Sequence, residues 1–71
     1  MPIFEWNYQV EEWSRDHMAP VDLMAGANNL LVARAAYEAA CKERPDRVVY
    51  LRNGARVLAR SKEEPQRKSP H

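Results

Sequence analysis

Apolar and polar residues alternate from Phe4 to Glu11, with Phe4, Trp6, Tyr8 and Val10 on one set of positions and Glu5, Asn7, Gln9 and Glu11 on the other. A period of two with aromatic residues on one side predicts a half-buried strand over 4–11. Trp13 departs from the alternation, so the strand is expected to bulge or end there, with Ser14-Arg15-Asp16-His17 as a polar turn. Val21, Leu23 and Ala25 then alternate with Asp22 and Met24. This favours a second strand over its rival, a short helix from Asp22 closed by Gly26. Pro20 lacks an amide hydrogen, which confines that strand to an edge or puts the proline at its start.

The period changes after Asn28. Leu30, Ala33, Tyr37, Ala40 and Cys41 fall on one side of a helix expected from Asn29 to Arg44, with Asn28 or Asn29 as the N-cap. Arg34, Glu38 and Lys42 follow one another four residues apart on the outer side. Five alanines between 33 and 40 favour the helix and allow close approach to whatever it covers. Pro45 biases Arg44 out of helical geometry and stops it.

Residues 47–60 read as a β-hairpin, with Asn53-Gly54 as a two-residue type I′ turn. That turn would set Arg52 opposite Ala55, Tyr50 opposite Val57 and Val49 opposite Leu58. One face would hold Val48, Tyr50, Val57 and Ala59. The other would hold Val49, Leu51 and Leu58, flanked by Arg47, Arg56 and Arg60, with Arg47 and Arg60 directly opposed.

The expected fold class is therefore α+β: a small antiparallel sheet in the order β-β-α-β-β, with one Ala-rich helix packed on one face. A length of 71 residues allows a single domain, expected over 1–60. Residues 61–71 carry no large apolar anchor and are expected to be a disordered tail. A chain this short buries only about 60% of its unfolded surface, so its core is thin. The lone Cys41 excludes an intrachain disulfide, and His17 and His71 stand apart from any metal-ligand spacing.

Charge is uneven along the chain. Residues 1–41 hold two basic against six acidic side chains, and residues 42–71 hold nine basic against four acidic. The N-terminus has neither the basic start nor the apolar run of a secretory signal, and no stretch is long and apolar enough to span a bilayer. Together with the single cysteine this predicts a cytoplasmic protein.

Candidate chemistry is sparse. No nucleophile–base pairing, phosphate-binding glycine loop or metal motif is present, so no catalytic residue, cofactor or small-molecule substrate is expected. Glu11 and Glu12, as neighbours in a strand, point to opposite faces and are expected to be solvated. Cys41, beside Tyr37 on the apolar helix side, reads as a buried structural thiol. The candidate surface is a mixed apolar and basic one: Arg47, Val49, Leu51, Arg56, Leu58 and Arg60 of the hairpin, with Trp13, the most exposed of the aromatics. Such a surface suits a protein partner.

Val10-Glu11-Glu12-Trp13, Ala33-Arg34-Ala35-Ala36-Tyr37-Glu38-Ala39-Ala40 and Leu51-Arg52-Asn53-Gly54-Ala55-Arg56-Val57-Leu58 resemble a group of short bacterial proteins with no assigned function. The resemblance spans most of residues 8–60 and implies a domain boundary, not a mechanism. The expected function is a small non-enzymatic interaction module that binds a protein or forms a homodimer, because one helix cannot cover both aliphatic faces of the hairpin. The alternative is a nucleic-acid-binding accessory protein using the basic hairpin, with a winged helix as one variant.

Overall fold

In the computed structural model, which describes residues 7–63, the chain forms β1 (Tyr8–Trp13), β2 (Pro20–Ala27), α1 (Leu30–Glu43), β3 (Val48–Asn53) and β4 (Arg56–Arg60). All neighbouring strands are antiparallel, in the spatial order β2-β1-β3-β4. Two hairpins thus stand back to back, joined by β1 against β3, and α1 bridges them across one face. The part of the first expected strand before Asn7 lies outside the described residues.

The helix starts where its cap dictates. The Asn29 side chain accepts hydrogen bonds from the Leu31 and Val32 amides, satisfying two donors that have no partner within the helix. Asn28 does a different job, accepting from the Asn7 backbone amide at 2.8 Å and so tying the end of β2 to the start of β1. Arg44 forms the C-cap ahead of Pro45.

The core lies between α1 and the sheet face carrying Val10, Val49 and Leu51, with Ala27 from β2 and Ala33 and Ala40 from the helix. Val10, Val49 and Leu51 are the largest fully buried side chains, at 1% exposure or less. The alanines supply little volume but let the helix lie close to the strands. Tyr37 and Cys41 pack at the margin, where burial, with the neighbouring thiol, pushes the Tyr37 hydroxyl up to about 12.

β2 is an edge strand, as its proline requires, with Pro20 at its first position. It is irregular. Val10 pairs with Ala25 but Glu11 with Leu23, and Glu12 pairs with Asp22 but Trp13 with Pro20, so Met24 and Val21 are extra residues in the ladder. Trp13 itself keeps its register against β3, opposite Val48; the irregularity is in its partner.

The second hairpin departs from the expected register. Asn53 pairs with Arg56, so Gly54 and Ala55 form the turn. Gly54 has φ +60°, and the only other positive φ among the described residues is at His17. A type I′ turn needs positive φ at both central residues. Here only the first has it, the pattern of a type II′ connection. Farther along, Arg52 faces Val57 but Leu51 faces Ala59, which makes Leu58 a bulged residue. The bulge lets two consecutive apolar residues, Leu58 and Ala59, both pack toward the core. It also moves Arg60 to the other face, opposite Tyr50, so Arg47 and Arg60 do not oppose each other and Ala59 does not share the Tyr50 face.

Candidate interaction surface

The face of the sheet away from α1 carries Glu11, Trp13, Val48, Tyr50 and Arg52, as the pairing of β1 with β3 dictates. It is not bare. Trp13 stacks on Tyr50 with ring centroids 4.8 Å apart and planes 17° off parallel. Arg52 sits over the Trp13 ring at 5.6 Å and grips Glu11 with two hydrogen bonds. The Trp13 indole donates to the same carboxylate at 2.9 Å. Val48 and Tyr50 are consequently buried, at 2% and 4% exposure.

The loop from Ser14 to Ala19 completes this cover. The Ser14 amide donates to the Ala19 carbonyl, the His17 amide to the Ser14 carbonyl, and the Met18 amide to Ser14 Oγ and Asp16 Oδ1. Held this way, His17 adopts φ +62°, a left-handed conformation that costs a side-chain-bearing residue energy. The result is a ring whose Nδ1 lies 2.8 Å from the Tyr50 hydroxyl. Beside it is an open polar cavity of about 410 Å³ lined by Arg15, His17, Asp46, Val48, Lys62 and Glu63.

Glu11 and Glu12 do point to opposite faces, but they are buried rather than solvated, at 7% and 6% exposure. Glu12 receives Arg44 at 2.6 Å and Arg47 at 2.5 Å, and Arg44 reaches on to Asp22 at 3.0 Å. One carboxylate thereby fastens the helix exit, β1 and the start of β3. The warning in the sequence was two adjacent carboxylates inside a strand, followed by three arginines at 44, 47 and 52. A buried charge in a strand needs a cation, and the chain supplies three.

The seven surface residues expected from the sequence divide accordingly. Val49 and Leu51 are fully buried under α1 and form no surface. Leu58 packs against the same core. Arg47 is bound to Glu12, and Trp13 is half-buried in its stack. Arg56 and Arg60 are exposed along β4, Arg60 within 3.6 Å of Glu63. The two aliphatic faces of β3 are thus both covered within one protomer, so uncovered hairpin faces do not supply a reason for association.

No protein-family model, curated protein or solved structure matches the chain.

Exposed apolar side chains lie elsewhere. Val21 and Leu23 on β2 are 58% and 54% exposed, Met18 just before it 70%, and Leu31 just after it 79%. All flank or belong to one sheet edge. The other edge, β4, is five residues long, bulged, and carries Arg56 and Arg60. Among the described residues no helix is long and apolar enough to cross a membrane, and no cluster of three metal-ligating side chains occurs.

Proposed function

We propose that this chain is a small non-enzymatic interaction module that receives a protein partner along the β2 edge. The observation that carries the reading is the contrast between the two edges of the sheet. Soluble proteins guard an edge by shortness, charge and bulges, because its free amides and carbonyls template further pairing. β4 has all three guards. β2 is eight residues long, and its one charge, Asp22, is already neutralised by Arg44. It displays Val21 and Leu23 to solvent.

The chain's strongest charges support a structural rather than a catalytic role for the cluster on the open face. Glu11 and Glu12 are satisfied by Arg52, Arg44 and Arg47. The lone cysteine fits a reducing compartment, and the reading includes a cytoplasmic location.

A photo-crosslinking residue at position 23, in the cell of origin, tests the docking edge. It should capture a protein that the same group at position 34, on the outer face of α1, does not. Capture should be lost when Val21→Lys and Leu23→Lys are added. Equal capture from both positions would overturn the reading. The nucleic-acid alternative has less support, since Arg47 and Arg52 are held by carboxylates and Arg56 and Arg60 remain at one edge. Fluorescence anisotropy with labelled duplex DNA at physiological salt should show nothing tighter than about micromolar. A nanomolar complex abolished by Arg56→Glu with Arg60→Glu would replace the protein-partner reading.

A further inference from the structure

We infer that the partner on the β2 edge is a second copy of this chain, joined by antiparallel β2–β2 pairing about a two-fold axis into a continuous eight-stranded sheet. The inference rests on β2 being the docking edge and adds the identity of what docks there.

Four features favour a copy. The first is closure. Pairing β2 with the β4 edge of another copy would leave a free edge at each end and propagate into a filament, whereas β2 with β2 closes after two chains. The second is charge. Two β4 edges would bring Arg56 and Arg60 against like charges, while two β2 edges meet with Asp22 already bound to Arg44.

The third is shape. The extra residues Val21 and Met24 increase the local twist of β2, which rejects a flat foreign strand. A copy has the same twist and matches it. The fourth is where the exposed apolar groups stand. Antiparallel pairing centred near Leu23 and Met24 brings the beginning of one β2 toward the end of the other. Met18, which precedes the strand, then approaches Leu30 and Leu31 of the second copy, which follow it. These are among the most exposed apolar residues in the fold, and the two-fold gives both ends of the strand a counterpart at once.

The test is mass by sedimentation equilibrium or light scattering on the full chain, from about 1 to 200 µM, with amide hydrogen exchange of β2 at both ends of that range. The expected results are twice the chain mass at high concentration and β2 amides that gain protection as the dimer forms. Val21→Lys with Leu23→Lys should return the mass to that of a monomer. Both side chains are more than half exposed in the protomer, so circular dichroism should show the fold retained. A variant that fails to fold is replaced by Leu31→Lys, on the first turn of α1, which should weaken the dimer by at least tenfold. A monomer at every concentration overturns self-pairing and leaves the docking edge to the crosslinking experiment. A dimer that survives both sets of lysines, or whose β2 amides stay unprotected, overturns it as well.

Discussion

Glu11 and Arg52 meet as a two-point ion pair between β1 and β3, Nε donating to Oε1 at 2.8 Å and Nη2 to Oε2 at 2.9 Å. They are diagonal neighbours rather than directly opposed, since Arg52 pairs with Gln9 and Glu11 with Tyr50. On the other side of the same strand Glu12 binds Arg44 and Arg47. The central strand is therefore clamped by charge on both faces.

This clamp should make the fold acid-sensitive. Burial works to raise the Glu11 pKa, but hydrogen bonds from Arg52 and Trp13 overcome it and hold the carboxyl below its ordinary value. For Glu12 the Arg44 hydrogen bond leads, burial opposes it, and Arg47 adds to the lowering. A carboxyl with a lower pKa folded than unfolded contributes its stability above the unfolded value, about 4.3. It loses that contribution as pH falls through the folded value. The melting temperature should hold steady from neutrality to about pH 5 and then fall. Glu11→Gln with Glu12→Gln should lower it at pH 7 and flatten the acid limb. A parent protein that melts alike at pH 3 and pH 7 would show that the two pairs contribute nothing.

Gly54 sets the second hairpin. A Cβ built there meets nothing within 4 Å, so a substitution there costs backbone strain and no clash. Gly54→Val should destabilise by about 1–2 kcal/mol. Gly54→Asn should cost clearly less, because asparagine tolerates the left-handed region. Chemical denaturation of both variants measures the difference, and equal losses would mean that φ is not what the position selects.

The fold class was legible because its signals are local. Asn29 as cap, Pro45 after the helix and Pro20 at an edge strand each act on their own neighbours. What escaped was decided at longer range. Asn53-Gly54 is a strong turn pair, yet the turn sits one residue later, and the bulge beyond it lets Leu58 and Ala59 both face α1. Core packing overrode the turn dipeptide. The candidate surface failed for the same reason: Val49 and Leu51 were assigned to an uncovered face, and the helix lies on it. The carboxylates of β1 looked like solvent groups because their arginines lie 32 to 41 residues away.

His17 offers a test of strain against contact. His17→Ala removes the ring from Tyr50 and keeps a Cβ at φ +62°, while His17→Gly removes both. The glycine variant should be the more stable of the two by about 1 kcal/mol. If alanine is the better tolerated, the loop relaxes when the ring is gone.

Ser61 lies past the expected domain end at residue 60 but is part of the sheet. Its hydroxyl accepts from the Val49 amide at 2.9 Å, and its own amide donates to the Val49 carbonyl at 2.8 Å. The tail expected over 61–71 therefore begins later, and residues 64–71 lie outside the described residues. Ser61→Ala leaves the Val49 amide without its acceptor and should cost about 1–2 kcal/mol. Thermal melts of that variant against Lys62→Ala, which loses no such bond, would separate the effect from a general one.

The strand order constrains how the chain reaches its native state. β1 is made first but lies in the middle, and its contact with β3 joins residues 41 apart, such as Glu11 and Arg52. Each hairpin needs only a short loop to close, so the two form quickly and apart. The seam between them forms late, because the intervening chain must first be gathered in. Until β3 leaves the ribosome, one side of β1 is an open ladder, and its two glutamates face water without their arginines. Those carboxylates are then gatekeepers, keeping a nascent edge soluble until the residues that neutralise them arrive.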